Sequence, residues 1–162
     1  MSGKVCCFTG HRALPEAELR PLWELLVRTL RALADGGVRE FCAGGALGFD
    51  TLAAEAVLAL REEFSHLSLL LLLPCRDQAA RWRPEEVRRY ERIKREADAV
   101  EYLGERYAPG CMQRRNRALV DWSAHCICYL TQNSGGTKYT VDYAKRRGLS
   151  ITNLAEQKAQ HL

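Results

Sequence analysis

Two glycine-rich segments carry the strongest chemical signal in this 162-residue chain: Gly44-Gly45-Ala46-Leu47-Gly48-Phe49-Asp50 and Ser134-Gly135-Gly136-Thr137. Each follows an apolar run and opens a helix-like one. A helix start presents main-chain N–H groups without intrahelical acceptors, together with the positive end of the helix dipole. Glycine removes the Cβ that would hold an anion away. The pair therefore points to a phosphorylated small molecule or a nucleotide. A third segment, Thr9-Gly10-His11-Arg12, ends the first apolar run with a guanidinium able to clamp phosphate through its planar fork; an arginine paired with a surface acid is an equal reading. His11 can act as acid or base, although an isolated histidine is more often a hydrogen-bonding scaffold residue. Asp50 would repel phosphate if aimed at it, so capping the following helix is its favoured role and a ribose hydroxyl the alternative. Arg114-Arg115-Asn116-Arg117 opens another helix, where the dipole disfavours cations. Successive helical residues face different ways, so at most two of these arginines share a cleft, with Asn116 beside one. Trp82, Tyr107 and Tyr139 are expected near the same edge, stacking a base or sealing the core.

The elements that must position these groups alternate. Apolar runs at Lys4–Phe8, Val38–Ala43, Leu67–Leu73, Ala99–Leu103, Ala124–Leu130 and Ser150–Leu154 read as strands. Helical patterns fill the gaps: Pro15–Ala34, Asp50–Phe64, a helix from Pro84, Cys111–Trp122 and Thr137–Arg147. Strands without polar alternation, separated by single helices, imply a mostly parallel sheet covered on both faces. With right-handed crossovers this is a single α/β, Rossmann-like, doubly wound domain over residues 1–154, followed by a polar tail at 155–162. Thr9–Arg12, Gly44–Asp50, Cys75–Trp82 and Thr131–Thr137 then emerge at the carboxyl ends of strands, where they can share one cleft.

Composition narrows the function. The net charge of +4 suits an anionic ligand and is too small to imply nucleic acid by itself. Seven cysteines, without a CxxC pair, suggest neither a disulfide framework nor a zinc site. Most lie in apolar runs and pack as small hydrophobes; Cys75 and Cys111 fall in expected loops and are the better candidates for reactive thiols. Cys126 and Cys128 should share one strand face. No metal and no cofactor is expected. No signal peptide or membrane span is visible, so the chain reads as cytoplasmic. The first strand lacks the GxGxxG fingerprint of dinucleotide-binding dehydrogenases, and no GxxxxGK[ST] loop for nucleoside triphosphates occurs. Self-association through helices is compatible with such a fold, but no residue marks the face.

Cys7 through Arg12, Gly44 through Glu55, Met112 with Arg115-Asn116-Arg117, and Ser134 through Ala144 together resemble the YpsA-like proteins of the SLOG superfamily. That superfamily joins the DNA-processing protein DprA to the LOG cytokinin-activating enzymes. The resemblance spans nearly the whole chain in the same order. It implies a Rossmann-like fold and a binding or sensor protein for nucleotides or nucleotide derivatives such as ADP-ribose-like molecules, in a family associated with bacterial cell division and stress. The implied ligand set is Gly10, His11, Arg12, Gly44, Gly45, Ala46, Leu47, Gly48, Asp50, Arg115, Asn116, Arg117, Gly135, Gly136 and Thr137. A LOG-like phosphoribohydrolase is one alternative, but the glutamate of the PGGxGTxxE motif is missing, since Lys138, Tyr139 and Thr140 follow Thr137. An N-glycosidase would have to use Asp50 or Asp142 instead. A DprA-like module for single-stranded DNA is the other alternative; no long basic groove interleaved with aromatics supports nucleic acid as the favoured partner.

Overall fold

The computed structural model describes residues 4–160. Residues 1–3 of the expected domain and 161–162 of the expected tail lie outside the described residues. The six apolar runs form strands β1 (Val5–Gly10), β2 (Glu40–Ala43), β3 (Ser68–Leu73), β4 (Ala99–Tyr102), β5 (His125–Tyr129) and β6 (Ser150–Asn153). Between and after them lie helices α1 (Glu16–Asp35), α2 (Phe49–Leu60), α3 (Pro84–Glu96), α4 (Cys111–Asp121), α5 (Gly136–Arg146) and α6 (Leu154–Gln160). All strand pairs are parallel, in the order β4-β3-β2-β1-β5-β6. The segment read as a polar tail begins as α6, which its buried Leu154 anchors to the core beside α1 and β5.

Alternation along each strand sends side chains to two separate cores. On one face, Phe8 of β1 and Phe41 of β2 stack with ring centroids 6.1 Å apart and pack with Leu22, Leu26 and Leu30 of α1 and Phe49 and Val57 of α2. On the other, Cys7, Cys42, Cys126 and Cys128 line up beneath Leu119 and Val120 of α4 and Val141 and Ala144 of α5. Cys126 and Cys128 thus share a face, and all seven thiols are buried and unbridged. No helix among the described residues is long and apolar enough to cross a membrane.

The chain winds outward from β1 to β4; α4 then returns it across the sheet to β5, which pairs with β1 through Thr9 opposite Cys128 and Gly10 opposite Tyr129. The direction of winding reverses between β1 and β5, and an open parallel sheet leaves a crevice beyond its strand ends at such a reversal. The loops after β1 and β2 close one side of it. The Phe49 N–H donates to the His11 carbonyl at 3.1 Å, and Gly48 bends between them at φ +79°. A Cβ on Gly48 would lie 2.2 Å from the Arg12 carbonyl oxygen. A Gly48→Ala variant is therefore expected to lose about 3 kcal/mol of stability, from a forbidden backbone angle plus this collision. Urea denaturation checks it: a loss below about 0.5 kcal/mol, the range of an inconsequential surface change, would show that the β1 loop can move away freely.

Candidate functional site

A cleft of about 270 Å³ opens at the β1–β5 reversal. Its walls are Thr9–Arg12 at the end of β1 and just beyond it, Ala46 from the β2–α2 turn with Asp50 from the first turn of α2, Met112, Arg115 and Asn116 from α4, and Gln132 with Ser134–Thr137 from the β5–α5 loop and the start of α5. Four separate segments meet there because their strands end at one edge of the sheet.

The start of α5 is an exposed part of this wall. Gly135 precedes the helix and no side chain caps it. Among the described residues, the N–H groups of Gly136, Thr137 and Lys138 have no acceptor. Gly136 has no unusual φ, and a Cβ placed on it would meet nothing within 4 Å. Neither packing nor backbone conformation thus explains a glycine here. What a bare Cα does supply is room for a group outside the protein to approach the first turn of the helix.

The two glycine turns are braced to one another. Gly44 has its carbonyl taken by Nη1 of Arg115, whose Nε donates to Asn116 Oδ1 at 2.7 Å. Asn116 Nδ2 donates to Thr140 Oγ1 at 3.0 Å, and that hydroxyl donates to the Gly136 carbonyl at 2.9 Å. Arg115 is only 3% exposed. Burial lowers its pKa, offset by the charge of Asp50 and deepened by that of Arg12. Arg115 and Asn116 therefore reach the cleft wall while acting as the strut that sets its width.

Asp50 is 6% exposed, in the first turn of α2. Burial pushes its carboxyl up to about 6, against the opposing pull of the Arg115 charge, the Ala46 N–H, the Arg12 charge and the Gly44 N–H. Its Oδ2 accepts the Ala46 N–H at 3.4 Å, and α2 has no side-chain cap. The expected capping role is corrected accordingly: the carboxyl braces the glycine turn before the helix. His11 is a scaffold residue in this geometry. Its Nε2 accepts the Thr131 N–H at 2.9 Å, tying the β1 loop to the β5 loop, and burial lowers its pKa. Arg12 is exposed, and among the described residues no carboxylate pairs with it.

Other expected members stand elsewhere. Arg117 donates to the Tyr139 hydroxyl at 2.9 Å, and neither borders the cleft. Gly44 and Gly45 do not border it, while Leu47 and Gly48 border a neighbouring hollow of about 250 Å³ with Arg12, Thr51 and Arg89. The Cys75–Trp82 loop forms a third hollow, of about 420 Å³, which shares Arg12 and Met112 with the cleft. Cys75 and Cys111 are buried, not exposed in loops. Cys75 continues the burial of β3, and that burial, with Asp77 nearby, raises its thiol to about 11. Asp142 pairs with Lys138 at 2.6 Å away from the cleft, and that lysine holds it below the usual carboxylate range. Thr9, Met112, Gln132 and Ser134 border the cleft without having been among the expected ligand residues. The signal for Thr9 and Gln132 was their place at the carboxyl ends of β1 and β5.

A model of the YspA SLOG family matches residues 7–155. A UPF0398 protein of Bacillus pumilus is 28% identical over 152 residues, covering 88% of this chain and 82% of its own. The SPbeta prophage-derived protein YoqJ of Bacillus subtilis is 27% identical over 118 residues, covering 65% of this chain and 69% of its own. Among solved structures, DNA processing protein A from Helicobacter pylori, described in its single-stranded DNA binding mode, is similar with a TM-score of 0.66 and 20% identity, covering 92% of this chain. DprA from Streptococcus pneumoniae is similar with a TM-score of 0.65 and 15% identity, covering 90% of this chain. The chain spans 64% and 48% of those two solved chains, and the likeness to them is one of fold.

Proposed function

The chain belongs to the YspA SLOG family, and from that premise we propose that its cleft holds the phosphate of a nucleotide or nucleotide derivative, ADP-ribose-like molecules included, in a cytoplasmic binding or sensor protein. The observation that carries this reading is the unobstructed first turn of α5, with three unpaired N–H groups and no Cβ at Gly136. Such a turn is an anion site by its dipole and its donors together. Arg12, exposed on the cleft wall, adds positive charge, and Asp50 in this reading accepts from a sugar hydroxyl. Seven unbridged cysteines fit a reducing compartment.

Thermal-shift and calorimetric titration with AMP, ADP-ribose, cyclic ADP-ribose and NAD tests the reading. At a concentration a hundredfold above Kd, a binder adds about 2.7 kcal/mol of apparent stability. At least one member of the panel is expected to raise Tm. If none does in a folded sample, the reading fails. Inclusion of a single-stranded oligonucleotide in a gel shift at low and high salt separates a DprA-like activity.

One observation favours a second reading. Asp50 is a buried carboxyl raised to about 6 inside the cleft, the protonation range a general acid needs. It is the member of the pair Asp50 and Asp142 that the fold brings there. A nucleoside-monophosphate N-glycosidase built on Asp50 would release free base, which chromatography after incubation detects; release no faster than in an Asp50→Asn control retires it.

A further inference from the structure

We infer that the hollow beside the cleft, walled by Gln78, Trp82 and Tyr107, is a ring subsite that takes a planar heteroaromatic base through an N–H on the base edge. The inference rests on the phosphate reading above and adds the part of the ligand that reading leaves open.

Three observations converge. First, Gln78 is 7% exposed and its Oε1 is a buried acceptor with no hydrogen-bond partner among the described residues. Its Nε2 is committed to the Tyr90 hydroxyl at 3.3 Å, so the oxygen is the end left over. Folded proteins rarely leave a buried amide oxygen unmet, and a donor arriving with a ligand is one of the few ways to satisfy it. Second, the walls suit a flat ring. Trp82 is fixed edge-on to Tyr90, with centroids 5.1 Å apart and planes at 72°. Tyr107 is 62% exposed on the opposite loop, where its N–H is held by Asp77 Oδ1 at 2.8 Å. The Arg76 N–H donates to the Glu105 carbonyl at 3.2 Å, tying the two loops together. Aromatic faces and guanidinium planes are the surfaces on which bases stack.

Third, the hollow adjoins the cleft. Arg12 and Met112 border both. A phosphate seated at the α5 turn and a ring seated against Trp82 would lie on either side of that pair, with a sugar between them. Met112 is the adaptable element of the wall, its unbranched thioether able to follow a ring edge.

Calorimetry with two probes separates the parts: AMP, which carries phosphate, sugar and an amine-bearing ring, and ribose 5-phosphate, which lacks the ring. The wild-type protein is expected to bind AMP at least about tenfold tighter than ribose 5-phosphate, the scale of one stacked base. In Gln78→Leu and in Trp82→Ala that advantage should fall below about threefold, with affinity for ribose 5-phosphate unchanged. Gln78→Leu removes the orphan acceptor and keeps the volume, so circular dichroism and Tm should report an intact fold even if Trp82→Ala is impaired. Equal affinity of the wild type for the two probes, with ribose 5-phosphate bound, overturns the ring subsite and leaves the phosphate reading standing. An AMP advantage undiminished in Gln78→Leu also overturns it. Binding of neither probe overturns both.

Discussion

A Gly136→Asp variant is expected to fold as well as the wild type and to lose at least about a hundredfold in affinity for any phosphate-bearing ligand the protein takes, the cost of setting a like charge against the anion. The separation of the two effects is what makes the substitution informative. A Cβ at this position meets nothing within 4 Å, and the backbone is helical, so the fold does not resist a side chain. A carboxylate in the first turn of a helix is favourable to the dipole by about 0.3–1 kcal/mol and can satisfy a free N–H. The same carboxylate occupies the anion's place. Urea denaturation alongside calorimetry reads both quantities. Stability kept with affinity also kept would mean that the α5 turn is not where phosphate sits. Stability lost would mean that the open space at Gly136 serves the fold.

The second large effect concerns Arg115, which enters the expected ligand set as a source of charge. Its hydrogen bonds give it another duty: it takes the buried Gly44 carbonyl and aligns Asn116. Arg115→Met keeps most of the volume and removes the donors. It strands a buried carbonyl and deprives Asp50 of the charge that most opposes its burial. A loss of about 3 kcal/mol is expected from these two effects together. The loss should depend on pH in a definite direction. The folded pKa of Asp50, about 6, lies above its unfolded value of 3.8, so the folded state holds the proton more tightly. The contribution of Asp50 to stability is thus fully present below pH 3.8 and is lost as pH rises through the folded value. Without Arg115 that value climbs further, so the penalty of Arg115→Met should be greater at pH 8 than at pH 5. A flat penalty, or one below about 1 kcal/mol with binding abolished, would return Arg115 to the role of a direct ligand contact.

Much of this was legible in the residues. Continuous apolar runs separated by single helical stripes specify a parallel α/β sheet, because each such strand must be covered on both faces. The placement of Thr9–Arg12 and Ser134–Thr137 at one edge followed from strand direction alone. The arginine run was less legible. Whether Arg115 or Arg117 faces inward depends on the phase of α4, which is set by Gly110 and by the burial of Cys111, Leu119 and Val120 across the sheet. The thiols at 75 and 111 were misplaced for a related reason. Cys75 follows β3 by two residues and stays under its cover, while Cys111 faces inward from the first turn of α4, and no local pattern distinguishes such positions from open loop. Gln78 gave no signal at all. A polar residue in a polar loop looks solvated until Trp82, Tyr90 and Gly45 are folded around it.

The position of Arg12 at the meeting point of three hollows makes its orientation a shared resource. A guanidinium turned toward the α5 turn is withdrawn from the other two. The binding free energies of two fragments measured one at a time therefore need not add to that of the joined molecule, because each fragment sets the rotamer that the other encounters. Under the proposed reading a single side chain would couple the two halves of a ligand, with a sign set by whether both prefer the same pose.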